Sequence, residues 1–214
     1  CRFRQKMPGS VADSGIFLYN DVMGVSKAPD KKTMILAEAE RIFAEKGYYG
    51  LGLAELLQSC DVPKGSFYYY FPGGKKQLLQ EALEFSYHRM ERGINGHILV
   101  EETALASFEH MADHLAQRVV SGKHFASLFL TMTSIESVYL DESINQTCRK
   151  LYDDWQKLYA DHLVRFGFSQ EESIPKAQAV FALIHGSMIS SWIKRDPADL
   201  MMAKKALREI IGDR

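Results

Sequence analysis

The stretch Val62-Pro63-Lys64-Gly65-Ser66-Phe67-Tyr68-Tyr69-Tyr70-Phe71 constrains the fold more than any other in this 214-residue chain. Successive residues of a helix point about 100° apart, so Tyr68, Tyr69 and Tyr70 cannot all face inward. Val62, Phe67 and Phe71 fall at spacings of five and four, close to one helical stripe that faces a small core. A short helix opening at Lys64 then shows Lys64, Ser66, Tyr68 and Tyr69 on its other side. A lysine, backbone N–H groups at a helix start and hydroxyls are what phosphate oxygens need. Gly65 lets a partner come close to the backbone without a side chain between them.

The preceding residues complete a motif. Leu53, Leu56, Leu57 and Cys60 make one apolar face of a short helix, and Asp61-Val62 is a tight turn into the next. Two short helices so joined predict a helix-turn-helix, whose second helix enters the DNA major groove while the first crosses the backbone. An ordinary helical hairpin with an aromatic core helix is the plain alternative. The three adjacent tyrosines weigh against it.

Residues Lys31 to Leu79 resemble the DNA-binding domain of the TetR family of transcriptional regulators, specifically over about 50 residues and loosely beyond. The matching features are Phe43-Ala44-Glu45-Lys46-Gly47-Tyr48, then Val62 to Tyr68, then Phe71 followed by Gly74-Lys75 and Leu78. Gly50-Leu51-Gly52-Leu53-Ala54-Glu55-Leu56-Leu57 is similar to the NemR-like branch of that family. The resemblance implies an all-α fold with an N-terminal three-helix head and a larger C-terminal domain for ligand binding and dimerisation. It implies a homodimer built through the last two helices, a double-stranded DNA operator, a small-molecule effector and no enzymatic activity. It also implies that Lys75 touches phosphate, beside DNA contacts from Lys64, Gly65, Ser66, Tyr68 and Tyr69. Two departures stand out: Leu51-Gly52 replaces the usual Thr/Ser helix cap, and Asp61 replaces the usual turn glycine. Glycine is a tolerable N-cap and aspartate tolerates turn geometry, so the motif survives both.

Composition sets the outer limits. Apolar residues make up 46% and charged residues 25%, as in a soluble globular protein, and strand-like alternation is scarce. A formal charge of -1 argues against a basic coat for nonspecific nucleic-acid binding but leaves room for a local site. Residues 24–76 carry a net +2 and the remainder a net -3, a weak asymmetry in the direction a DNA-binding head requires. Cys1, Cys60 and Cys148 have neither metal-ligand spacing nor secreted-scaffold density, so a reducing cytoplasm is the expectation. No apolar run approaches the roughly 20 residues needed to span a bilayer, so no membrane association is expected.

Residues 1–26 show no convincing helical period, and they read as a disordered or vector-derived extension. Arg2, Arg4 and Lys6 leave open an arm that reaches DNA. The head is expected over 27–74 and the regulatory and dimerisation domain over 75–214. From Lys31, the residues Ile35, Ala39, Ile42 and Phe43 predict an amphipathic helix that Gly47 stops. Lys31 and Lys32 suit its dipole only if an anion lies nearby, and a DNA phosphate would serve. Pro72-Gly73-Gly74 ends the motif, and a long helix runs from Lys75 to about Arg92.

Further helices are predicted over 103–121, on Leu105, Phe108, Met111, Ala112, Leu115 and Val119, and over 124–138, on Phe125, Leu128, Phe129, Met132 and Ile135. The longest periodic stretch is Ile144, Cys148, Leu151, Trp155, Leu158, His162 and Phe166. The last two helices are expected over 175–194 and 197–211. The first of these is apolar nearly all round, as a helix with more than one neighbour must be.

An aromatic and Met-rich lining with a few polar groups is typical of a small-molecule pocket. Phe125, Phe129, Met132, Tyr152, Trp155, His162 and His185 are the candidate effector contacts, with His88, His114 and Tyr159 beside them. Ordinary core is the alternative for each. His110 and His114 stand four apart, but with no third ligand and no HExxH glutamate, no metal is expected, and no cofactor fingerprint is present. Cys148, beside Arg149 and Lys150, admits thiolate chemistry. The expected function is a repressor released from a palindromic operator by a small apolar or aromatic ligand. The alternatives are a regulator controlled by redox or by a partner protein, without a ligand pocket, and a helical enzyme. No Ser/His/Asp order and no paired-carboxylate motif supports the enzyme.

Overall fold

The computed structural model describes residues 30–98 and 101–212, and among these every regular element is helical. The predicted extension over residues 1–26 lies outside them. No helix among the described residues is long and apolar enough to cross a membrane. The chain forms two compact units that meet in sequence at Ala82/Leu83, within the fourth helix.

The first unit contains α1 (Lys31–Gly50), α2 (Leu53–Ser59), α3 (Lys64–Tyr70) and the first turns of α4 (Gly74–Gly93). Asp30 caps α1, its carboxylate accepting the Thr33 N–H at 2.8 Å. Gly47 lies inside the span assigned to α1 but has φ 69°, a left-handed conformation that breaks the helix where glycine tolerates it. Ile35, Ala39, Ile42 and Phe43 are buried, as their spacing predicts, and Leu51, Leu56, Val62, Phe67 and Phe71 join them. Asp61 turns the chain between α2 and α3 at φ 50°. The aspartate at a position suited to glycine is thus accommodated, since Asp is among the residues that visit this region. The anion that suits Lys32 comes from the protein itself: Glu81 of α4 pairs with it at 2.7 Å.

The second unit continues α4 into a π turn, Ile94–Ile98, then α5 (Ala104–Ser121), α6 (Ala126–Ser137), α7 (Glu142–Arg165), α8 (Gln170–Lys194) and α9 (Ala198–Ile211). Thr103 caps α5 by accepting the Ala106 N–H, and Gly122 ends it at φ 64°. α5, α8 and α9 pack against one another, while α7 packs between α6 and α8. The α5 residues Phe108, Met111 and Ala112 and the α7 residues Ile144, Cys148, Leu151 and Trp155 are all buried in the predicted register.

Two predicted stripes are corrected. On α6, Phe125, Leu128 and Phe129 are buried, but Met132 is 50% and Ile135 55% exposed. The inner face instead carries Thr131 and Ser137, and the Ser137 hydroxyl accepts a hydrogen bond from Asn145 Nδ2 of α7 at 3.0 Å. A buried Ser137–Asn145 pair, satisfied across two helices, is invisible to hydrophobic periodicity. Helix α8 opens at Gln170, five residues before the predicted start. Ser169 and Glu172 form a reciprocal capping box there, and Pro175 is tolerated in the second turn. Of the predicted all-round apolar surface of α8, Val180, Phe181, Ile184 and Met188 are buried, whereas Ala182 is exposed and Ile193 is 75% exposed.

Candidate nucleic-acid interface and aromatic cluster

Helix α3 is held from one side only. Phe67 and Phe71 are fully buried, their rings 5.3 Å apart, and each contributes roughly 1.5–3 kcal/mol by leaving water. Burying that stripe turns the rest of the helix outward. Tyr69 is 81% exposed and Tyr68 44%, Lys64 and Gly65 are exposed, and Ser66 and Tyr70 are half-buried. No side chain caps the α3 start, where Pro63 is the N-cap residue. A Cβ built on Gly65 meets nothing within 4 Å, so packing inside the chain does not require glycine at that position. Lys64, Gly65, Ser66, Tyr68 and Tyr69 therefore share one accessible surface.

Lys75 is placed differently. It is half-buried in the first turn of α4, and its ammonium donates to the Leu51 carbonyl at 2.8 Å while lying 4.7 Å from the centre of the Tyr48 ring.

In the second unit, Trp155, Tyr159, Phe181 and His185 form one aromatic cluster between α7 and α8. Trp155 and His185 centroids are 4.2 Å apart, Trp155 and Phe181 5.3 Å, and Phe181 and His185 3.8 Å. Tyr152 meets the cluster edge-on from its half-buried position, 5.4 Å from Phe181. Tyr159 links it to Phe108, which in turn contacts His162 at 5.6 Å. Phe125 belongs elsewhere, against Trp192 and the Arg118 guanidinium. Phe129 is buried, Met132 is half exposed, and His88 and His114 are exposed. Of the expected effector contacts, Tyr152, Trp155 and His185 meet in this cluster, His162 reaches it only through Phe108 and Tyr159, and Phe181 is a member that the expected set lacks. Its place one turn before His185 on α8 was the available signal.

The cluster is electrically neutral. Burial pushes the His185 imidazole down to about 3. Burial, with Arg165 nearby, pushes His162 down to about 4. Both ring nitrogens of His162 and the Nδ1 of His185 have no hydrogen-bond partner. The two described cysteines are poor nucleophiles, because burial raises the Cys148 thiol and lifts Cys60 to about 11.

An exposed helix-turn-helix followed along the chain by a larger helical unit is the arrangement of a helical DNA-binding regulator. Sequence and structure comparisons narrow it. Residues 35–82 match the domain of bacterial regulatory proteins of the tetR family, and residues 104–206 match the C-terminal domain of LmrA/YxaF-like transcriptional regulators. The chain belongs to the TetR family of transcriptional regulators. The HTH-type transcriptional regulator LmrA of Bacillus subtilis (strain 168) is 25% identical over 182 residues, covering 85% of this chain and 97% of LmrA. The HTH-type transcriptional repressor NemR of Escherichia coli (strain K12) is 48% identical over 42 residues, covering 20% of this chain and 21% of NemR. The crystal structure of reduced E. coli NemR superimposes with a TM-score of 0.76 at 24% identity, covering 86% of this chain and all of that one (100%). A TetR regulator from Chloroflexus aurantiacus J-10-FL gives 0.71 at 16% identity, covering 86% and 95%. These two structures attest the fold. Regulators of this family bind DNA and act as dimers.

Proposed function

We propose that this chain is the protomer of a homodimeric repressor, released from a two-fold operator by a small uncharged apolar or aromatic ligand. The outward face of α3 carries the reading: a 7-residue helix whose aromatic stripe is buried and whose Lys64, Gly65, Tyr68 and Tyr69 are left to solvent. Lys64, Gly65 and Ser66 reach base edges or the adjacent backbone, and Tyr68 and Tyr69 hold phosphates. Two such helices about 34 Å apart read successive turns of one groove. A repressing output is supported by the head's similarity to NemR, whose name describes a repressor.

The outer surface of α8 and α9 supports pairing through the last two helices. It leaves Ile193 and Met202 exposed, and Leu183, Gly186, Ser187, Ser190 and Ala206 line a shallow groove. Small residues of this kind let two helices approach closely. For the ligand, the support is the neutral aromatic cluster around Trp155. None of the described buried polar side chains in 83–214 is Asp, Glu, Lys or Arg, so an ionised guest would be buried unpaired. The raised thiols of Cys60 and Cys148 weigh against redox control. Genomic fragments selected by the protein, with the selection repeated in the presence of neutral aromatic compounds, test the reading. A recovered two-fold sequence that one compound releases is the expected result, and turnover of that compound would replace the reading with an enzyme.

A further inference from the structure

We propose that the aromatic cluster between α7 and α8 takes a phenol-type effector, a neutral aromatic ring whose hydroxyl pairs with Trp155 Nε1 and His185 Nδ1. Among the described residues, five buried side-chain nitrogen and oxygen atoms have no hydrogen-bond partner: Thr131 Oγ1, Trp155 Nε1, both ring nitrogens of His162, and His185 Nδ1. All five lie on α6, α7 and α8. Buried polar atoms in folded proteins are almost always paired, so a concentration of unpaired ones in three adjoining helices calls for a partner from outside the chain.

Two of the five share one wall. Trp155 and His185 are 1% and 6% exposed, and their rings meet edge to face from neighbouring helices, 4.2 Å apart. Trp155 Nε1 lies near the Tyr159 hydroxyl without hydrogen-bond geometry, and that hydroxyl donates its own proton to the Met111 sulfur, a weak acceptor, at 2.8 Å. An indole N–H only donates, whereas a neutral imidazole Nδ1 donates or accepts according to its tautomer. A hydroxyl does both, so it serves Trp155 and His185 in either tautomer. A hydrocarbon leaves both atoms unmatched, and an ionised group finds no counter-charge there. Phe181 and Tyr152 supply aromatic faces and edges for the ring that carries the hydroxyl. Thr131 Oγ1 stands near the phenol of half-buried Tyr152, so the cluster has a further unpaired hydroxyl at the end that reaches solvent. The inference rests on this cluster being the effector site, and it narrows the ligand from any neutral apolar or aromatic compound to one bearing a hydroxyl.

The experiment titrates the full-length, DNA-free protein with p-cresol and with p-xylene, which share a shape and differ by a hydroxyl in place of a methyl. Binding is read by calorimetry, and the Trp155 indole N–H is followed by heteronuclear NMR, with Trp155→Phe assigning its resonance. The expected result is p-cresol bound about tenfold or more tightly than p-xylene, with the indole proton shifted downfield by p-cresol alone. Trp155→Phe and His185→Phe should each bring the two affinities close together. Equal affinities in the wild-type protein would overturn the hydroxyl requirement and leave the neutral apolar ligand in place. Binding of neither compound, with the indole resonance unmoved, would overturn it too and assign Trp155 and His185 to the core. A preference for p-cresol that survives in both variants would also overturn it, by placing the hydroxyl elsewhere. If the variants do not fold, the wild-type affinity ratio and the indole shift decide. Release of a recovered DNA fragment is measured separately. Binding of p-cresol through Trp155 and His185 without any release would uphold the chemistry of the cluster and count against its regulatory role.

Discussion

The Phe181 ring lies flat on the His185 imidazole, with centroids 3.8 Å apart and planes 17° from parallel. Trp155 closes over the same imidazole at 4.2 Å. A neutral imidazole suits this apolar surround, and a charged one would be buried without a partner.

Stability is therefore expected to fall with acid. The folded-state values of His185 and His162 are pushed down to about 3 and about 4, below the ordinary histidine value. As pH falls below about 6.5 the unfolded chain takes up protons that the folded chain refuses, so the stabilisation present at neutral pH is lost toward the folded values, at no more than about 1.4 kcal/mol per pH unit per histidine. Thermal unfolding midpoints between pH 7.5 and 4.5 check this, and His185→Phe should show a smaller drop over that window. An equal drop would mean that His185 titrates normally.

Trp155 separates packing from ligand recognition. It is 1% exposed, so Trp155→Ala should cost about 3–5 kcal/mol in urea unfolding. Trp155→Phe keeps most of the apolar volume and should cost less than that, while blunting the release of DNA by an aromatic ligand. A Trp155→Phe protein that responds to ligand as the wild type does would assign Trp155 to the core alone.

At the α3 surface, Lys64→Ala should weaken operator binding by about 1–3 kcal/mol at fixed salt. Tyr69 is 81% exposed, so Tyr69→Phe removes a hydroxyl without disturbing the core. It should weaken all fragments alike, as loss of a phosphate contact does. Selective loss at one base pair, read by competition between fragments, would instead give Tyr69 a base-reading role.

Gly186 tests the α8–α9 groove as the seam between protomers. A Cβ built on it meets nothing within 4 Å, so a larger side chain does not strain the protomer. Gly186→Leu should leave the helical circular dichroism intact and yield monomers in sedimentation equilibrium, with operator binding lost. Dimers at wild-type strength would place the seam elsewhere.

Much of this was readable in the chain. The α3 surface followed from three consecutive tyrosines and two phenylalanines, because helical geometry alone forbids all five from facing one way. The stripe from Ile144 to His162 was legible for the same reason, and Met132 misled because α6 buries Thr131 and Ser137 while turning Met132 and Ile135 outward. Lys75 shows where local order stops short. Its residue type and its place at a helix start suit phosphate, and only the fold showed a carbonyl 24 residues earlier within reach.

Local order along the chain thus determined which segments are helices, where glycine and aspartate bend it, and which stripe of each helix is apolar, since these depend on neighbours a few residues apart. The tertiary structure alone decided which polar groups find each other. Lys32 with Glu81, Asn145 with Ser137 and His185 with Trp155 are meetings between separate helices, and Lys75 of α4 reaches the Leu51 carbonyl in the turn before α2. Short-range contacts with strict directions depend on how whole helices pack, and no periodicity within one helix encodes them.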